Sequence, residues 1–273
     1  MTKYVNRGGE EGKARLRIIS DALWPASRSL LESAGIQSGM ACLDVGCGGG
    51  RVTLAMARLV GPSGMVTGVD MDRVKLGLAQ QDAERENIAH VSFRQLDANH
   101  LDNGGGYDLV YARFLLTHLS DPLSTLQGMV NAAKPGGVIV VEDLDHAAIF
   151  SYPVCPEVAQ FSRLYDRLAR LSGGDPEIGP KLPALFHQAG LRDPQFSHIQ
   201  PAFLQGEAKN IHEITLENVA PAVIDAALAS EAEIEALYSD LSEFSQDLQT
   251  IVSFPRIFQI WARRPRGARR QSS

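Results

Sequence analysis

Residues 41–51 read Ala41-Cys-Leu-Asp-Val-Gly-Cys-Gly-Gly-Gly-Arg51, and the fold follows from this stretch. Leu43 and Val45 belong to a short apolar strand. The chain then breaks at Gly46, Gly48, Gly49 and Gly50, and Val52 to Leu59 resume with helical spacing. Glycine is used where the backbone takes positive φ or comes close to a ligand. A strand, a Gly-rich turn and a helix N-terminus together form a site for a nucleotide-like ligand at the end of a parallel sheet.

The chemistry around the turn narrows the ligand. A dinucleotide fingerprint, G-x-G-x-x-G, places its third glycine where this chain has Arg51. Asp44 stands two residues before the first glycine, where a pyrophosphate would lie. A carboxylate there repels phosphates and suits a cation. S-adenosylmethionine offers a sulfonium and an α-ammonium, so Asp44, Gly46 and Gly48 favour it over a nicotinamide dinucleotide.

Leu43-Asp-Val-Gly-Cys-Gly-Gly-Gly50 resembles motif I of the class I S-adenosylmethionine-dependent methyltransferases, and the likeness runs from about Gly39 to Asp145. The layout is most similar to the small-molecule branch that includes the ubiquinone and menaquinone biosynthesis methyltransferases. The resemblance implies a Rossmann-like α/β fold in three α/β/α layers. Its seven-stranded sheet would be mostly parallel, with an antiparallel last strand. The domain is expected over 38–265, preceded by helices over 1–37 that cover the active site and followed by a basic tail, 266–273.

Composition agrees with an ordinary globular chain. Of 273 residues, 44% are hydrophobic and 21% charged, and the net charge is −6. That charge gives no general attraction to nucleic acid or anionic membrane. Apolar runs stay far below a membrane span, and residues 1–17 hold no secretory core. Cys42, Cys47 and Cys155 lack metal-ligand spacing and suit a reducing cytoplasm. Oligomerisation is left open.

Taken in order, Glu10 to Trp24 spaces Leu16, Ile19 and Leu23 as one helical face closed by Pro25, and a second helix runs from Ser27 to Ala34. In the resembling family such helices cover the methionine end of the cofactor. Arg15 or Arg17, with Arg17 preferred and Tyr4 nearby, would then pair with its carboxylate. An exposed arginine on an amphipathic helix is the plainer alternative. Met65 to Asp70 forms the second strand, and Asp70 at its tip can accept from both ribose hydroxyls. Capping of the next helix falls to Asp72, and Met71 would lie against adenine. Asp97-Ala98 ends the third strand, where the resemblance implies an acceptor for the adenine amine; a turn-capping aspartate is the other reading.

The fourth strand, Leu109 to Ala112, runs into Arg113-Phe-Leu-Leu-Thr-His118-Leu. In the resembling family this segment lies beneath the transferable methyl group, so Ala112 and Arg113 join the cofactor set. His118 is a candidate base, or else a structural histidine. Asp121-Pro122 starts a helix. Ala133-Lys-Pro-Gly-Gly-Val-Ile-Val-Val-Glu142 is a turn and fifth strand with a family-like phrase. At its carboxyl end stand Glu142, Asp143, Asp145 and His146, of which Asp143 and His146 are further catalytic candidates. A metal-assisted enzyme would want an acid where Ala112-Arg113 stands, so no metal is expected.

Beyond residue 150 two excursions, about 150–176 and 208–252, read as helical caps on the core. Phe196 to Phe203 would be strand six and Arg256 to Ala262 the returning strand. Phe150, Tyr152, Phe161, Tyr165, Tyr238 and Phe244 are candidate walls of a pocket for a small, partly apolar methyl acceptor. Methyl transfer to N, O or C is the expected reaction. Rival readings are an NAD(P)-dependent oxidoreductase on a similar fold, a protein or RNA methyltransferase, and a cofactor-binding protein without transferase activity. The chain lacks the Asn/Asp-Pro-Pro-Tyr and Pro-Cys motifs of nucleic-acid methylation.

Overall fold

The computed structural model of the protein describes residues 9–101 and 104–266; Tyr4 and tail residues 267–273 lie outside them. In chain order the elements are α1 (Gly9–Ala34), β1 (Ala41–Val45), α2 (Arg51–Val60), β2 (Met65–Asp70), α3 (Arg73–Arg85), β3 (Val91–Gln95), β4 (Tyr107–Arg113), α4 (Pro122–Ala132) and β5 (Ala133–Asp145). There follow β6 (Ser151–Tyr152), α5 (Pro156–Leu171), α6 (Leu182–Gln188), β7 (Gln195–Ile199), β8 (Ala202–Phe203), α7 (Ile211–Asp225), α8 (Glu231–Gln246), β9 (Ile251–Ser253) and β10 (Arg256–Arg263).

The main sheet has seven strands in the order β3-β2-β1-β4-β5-β10-β7. Every pairing is parallel except those of β10, which runs antiparallel to both neighbours. Alternate residues serve opposite layers, as a pleated strand requires. Leu43, Val45, Val110, Ala112, Ile139 and Val141 pack toward α4 and α6. Cys42, Val66, Leu109, Tyr111, Val138 and Val140 meet α1 and α2. Strand order reverses between β1 and β4, and ligands of open α/β sheets bind at the carboxyl ends beside such a reversal.

The cap has its own interior. Val158, Phe161, Leu164, Tyr165 and Leu168 of α5 pack with Leu216, Val219 and Val223 of α7 and Ile234, Leu237 and Leu241 of α8. Ser230 and Glu233 form a capping box at the start of α8. Buried Glu213 accepts from Ser245 Oγ at 2.7 Å and ties α7 to α8.

Two expectations are corrected. The N-terminal region is one helix, with Pro25 inside it. Proline costs the Asp21 carbonyl its helical donor, but the Arg113 guanidinium bridges the break, donating to Ser20 at 2.9 Å and Ser27 at 3.2 Å. Tertiary contacts therefore hold both halves on one axis. The expected sixth strand is two short ones, because Pro201 between them has no N–H for a ladder. β8 leaves the main sheet and joins β6 and β9 in a small second sheet.

Candidate active site

The Gly loop lies at the carboxyl end of β1. Gly46 and Cys47 donate to the Val69 carbonyl at 2.8 and 3.0 Å, which folds the loop across β2. Gly48 (φ 52°) donates to Asp70 Oδ2 at 2.8 Å. A Cβ on Gly48 would meet only Leu16 Cδ1 of α1, at 3.3 Å, whereas one on Gly50 would strike Ala79 Cβ at 2.6 Å and the Phe93 ring at 3.0 Å. Gly48 thus faces the ligand edge under α1, and Gly50 lets the loop pack on α3 and β3.

Three carboxylates mark the ends of adjacent strands: Asp44 near the end of β1, Asp70 on β2 and Asp97 beyond β3. Asp44 is buried and accepts from Thr53 Oγ1 at 2.6 Å. Desolvation raises its pKa to about 6, against the opposing pull of Thr53 and Arg113. Asp70 spends its oxygens on Gly48 N and Asp72 N, while Asp72 caps α3. Asp97 accepts from the backbone and side chain of Asn99 at 2.9 and 3.0 Å, the turn-capping arrangement. Ala98 is buried behind it and Met71 is exposed. The set fits S-adenosylmethionine by its chemistry: anions for a sulfonium and an ammonium, and acceptors for ribose and amine hydrogens.

At the ends of β4 and β5 several candidates hold the frame. Ala112 is wholly buried in the sheet, so any ligand contact there would be through its backbone. Arg113 is turned to α1 as described. Arg17 pairs with Glu207 at 3.0 Å and Asp21 at 3.6 Å on the outer surface. Arg15 is the guanidinium that reaches the interior, with its Nε donating to Thr215 at 3.0 Å. Asp143 is fully buried and accepts from Thr117 N at 3.1 Å and Leu144 N at 3.0 Å. It therefore braces the turn through Leu116–His118 rather than facing a substrate; burial lifts its pKa to about 7. Burial, followed by Arg15 and Lys75, lowers that of His118 to about 4. Glu142 joins a polar chain within the sheet, from Tyr111 through Glu142 and Gln259 to Ser197.

A cavity opens beside this edge, between α1, α5, α7 and the ends of β4, β5 and β10. Arg15, Phe114, His146, Phe161, Tyr165, His212 and Thr215 are among its walls, and its empty space, open mouth included, is about 510 Å³. Phe114, which directly follows β4, packs there with Ile19, Ile211 and Phe254. His146 Nδ1 lies 2.7 Å from Asp166 Oδ1 and its ring stacks on Tyr165, centroids 4.6 Å apart. His212 stacks on Phe161 at 5.1 Å. Of the expected aromatic walls, Phe161 and Tyr165 line the cavity. Phe150, Tyr152 and Tyr238 are exposed, and Phe244 packs on the cap interior. Asp166, His212, Thr215 and Phe114 were not singled out from the sequence; only the histidine at the start of α7 offered a signal.

Comparison with known proteins follows the same outline. A family model described as a methyltransferase domain matches residues 36–189. The ubiquinone biosynthesis O-methyltransferase of Acinetobacter baylyi is 37% identical over 108 residues, 39% of this chain and 44% of that protein. The demethylmenaquinone methyltransferase of Staphylococcus aureus is 32% identical over 139 residues, 50% of this chain and 54% of that one. This chain thus matches about half the length of these curated relatives. A solved structure from Bacillus halodurans, a candidate methyltransferase, superposes with TM-score 0.60 at 17% identity, covering 87% of this chain and 98% of that one. At such identity the likeness concerns the fold alone.

Proposed function

The chain belongs to the methyltransferase-domain family, and we propose that it transfers a methyl group from S-adenosylmethionine to a small, partly apolar molecule. The observation that carries this reading is the shared roof. Leu16 of α1 stands over Gly48 of the loop, and Arg15 and Ile19 of the same helix line the apolar cavity. A substrate in the cavity would meet the methyl end of a cofactor whose adenosine lies over Gly48, Asp70 and Asp97.

Bound there, S-adenosylmethionine supplies an electrophilic methyl group and leaves as neutral S-adenosylhomocysteine when the S–CH3 electron pair stays on sulfur. The protein's own work is alignment and exclusion of water. Asp44 offers negative charge to the cationic end, and Asp70 and Asp97 have lone pairs for ribose and adenine. Helix α1 covers both sites, with Leu16 over the loop and Arg15 and Ile19 over the cavity. It is tied down by Asp21–Arg51, Arg17–Glu207 and Arg113–Ser20. A nicotinamide-dependent reaction is disfavoured, since Arg51 opens α2 and pairs with Asp21 where that fingerprint wants a glycine.

Calorimetry with S-adenosylhomocysteine and NAD, followed by a labelled-methyl assay against a small-molecule library, tests the reading. S-adenosylhomocysteine alone should bind, and label should appear on an apolar acceptor. Binding of NAD in its place would overturn the proposal.

A further inference from the structure

The cavity holds two histidines for which the fold itself supplies little reason. His212 is 5% exposed; the Ser253 backbone lies near its ring and favours the charged form, but neither ring nitrogen completes an aligned hydrogen bond. Leaving buried polar atoms unpaired costs stability, so a ring kept in that state is suited to a partner that arrives with a ligand. His146 has Nδ1 against the Asp166 carboxylate, a contact too bent for an aligned hydrogen bond, with Ser162 Oγ at 3.3 Å. An Nδ1 proton held toward Asp166 leaves the Nε2 lone pair as the proton-accepting end of the ring. Phe161 stands between the two imidazoles, edge-on to His146 at 6.1 Å and stacked on His212 at 5.1 Å.

We propose that the cavity binds a flat molecule carrying an ionisable O–H or N–H at one end and a hydrogen-bonding group at the other. His146 would take the proton and His212 would hold the far group. This rests on the transferase reading and names what its acceptor must look like. The acceptor's proton passes to His146 Nε2, and the bond electrons stay on the acceptor's oxygen or nitrogen, which becomes the nucleophile. Asp166 positions the ring and balances the imidazolium. The charged and titratable groups around it are Asp166 and Tyr165 from α5, His212 from α7 and Arg15 from α1. The Arg15 guanidinium favours the anion left in the cavity. The faces of Phe114, Phe161 and Tyr165 and the chains of Ile19, Ile211 and Ile257 suit a flat apolar body rather than a sugar or a peptide.

Two chromophores whose absorption reports ionisation test this with the full chain and S-adenosylhomocysteine: 4-nitrophenol for O–H and 4-nitroimidazole for N–H. Either should bind wild type and show its anion band at a pH where the free probe is mostly protonated. The probe that does so identifies the acidic atom. His146→Gln should retain binding but lose the anion band, and its turnover of an accepted substrate should fall in kcat by roughly a hundredfold or more. His212→Phe keeps the stack on Phe161 and should raise the probe Kd about tenfold with the anion band intact, the loss of one hydrogen bond. Its melting temperature should be equal to or above wild type, because no aligned hydrogen bond is lost. An anion band that persists in His146→Gln would overturn the base assignment. Unchanged affinity, or a lower melting temperature, in His212→Phe would make that histidine structural. If wild type binds S-adenosylhomocysteine but neither probe, this proposal fails and the transferase reading stands; if S-adenosylhomocysteine does not bind either, the reading itself falls.

Discussion

The two halves of the candidate site are built by different means. The cofactor edge is made of backbone: a Gly loop folded onto Val69, and acids at the ends of three neighbouring strands, all within residues 44–97. The cavity is made of side chains drawn from α1, α5, α7 and three strand ends, spanning residues 15–257. An edge set by local geometry admits few side chains at each position. A cavity assembled from long-range packing keeps its shape under many sequences, so it is where substrate choice is free to change.

The comparison breaks most sharply at Gly48. Gly48→Val puts a branched side chain at φ 52° under Leu16, in the volume given to the ligand. Binding of S-adenosylhomocysteine should be lost in calorimetry while the protein still folds, its melting temperature lowered only by the strain of a branched residue at positive φ. Gly50→Val should do the reverse and unfold the protein, since its Cβ overlaps Ala79 and Phe93. If both variants fail in the same way, the loop is only a packing element.

Next in size is Phe161→Ala. Phe161 is 2% exposed and belongs to the cap interior as well as to the cavity wall. Its removal should cost about 3–5 kcal/mol of stability in denaturant titration, and acceptor binding should weaken with it. Cofactor affinity should hold within a few tenths of a kcal/mol if the halves are independent. Tyr152, 66% exposed on β6, should tolerate Ala within about 0.5 kcal/mol. A cofactor loss in Phe161→Ala would show that cap and core act as one body.

Asp70→Ala follows, at about 1.5–3 kcal/mol of S-adenosylhomocysteine binding. Because the same carboxylate holds Gly48 N and Asp72 N, its loss should also loosen the Gly loop. Asp97→Ala should cost less, since Asp97 is already occupied by Asn99. Equal affinities for wild type and Asp70→Ala would remove Asp70 from the site.

This contrast also explains what was legible in the sequence. Motif I and the strand that ends at Asp70 could be read because glycine turns and strand ends are fixed by neighbours in the chain. The antiparallel return of β10 followed from the family resemblance, and the helices α5 and α8 from the spacing of their apolar residues. Helix α1 was misread at Pro25, because the contact that carries the helix through comes from Arg113, far away in sequence. Nor does the sequence show how Arg15 and Arg17 differ: two residues apart on one helix, they point to Thr215 and to Glu207. The pairing of His146 with Asp166 needs the turn between β5 and α5, and His212 needs α7 to come back over both. Neither leaves a local pattern.

The smallest predicted effect is a tilt of stability with pH, opposite in sign for two buried groups, Asp143 under the turn after β4 and His212 in the cavity. Burial raises the folded pKa of Asp143 to about 7 and lowers that of His212 to about 3, the latter helped by nearby His146. For Asp143 the folded state binds the proton more tightly than the unfolded chain. Its stabilising contribution is therefore full below about pH 4 and is lost as pH rises through 7. For His212 the unfolded chain binds the proton more tightly, so stability is lost as pH falls from about 6.5 toward 3. In the window from pH 4 to 6.5 the two slopes oppose each other in wild type. Asp143→Asn removes the falling slope, so the stability of that variant relative to wild type should increase as pH is raised. His212→Phe removes the rising one, so its relative stability should decrease over the same range. Denaturant midpoints at three pH values in this window decide it. Two variants that tilt the same way would mean that one of these side chains is not buried as the fold has it.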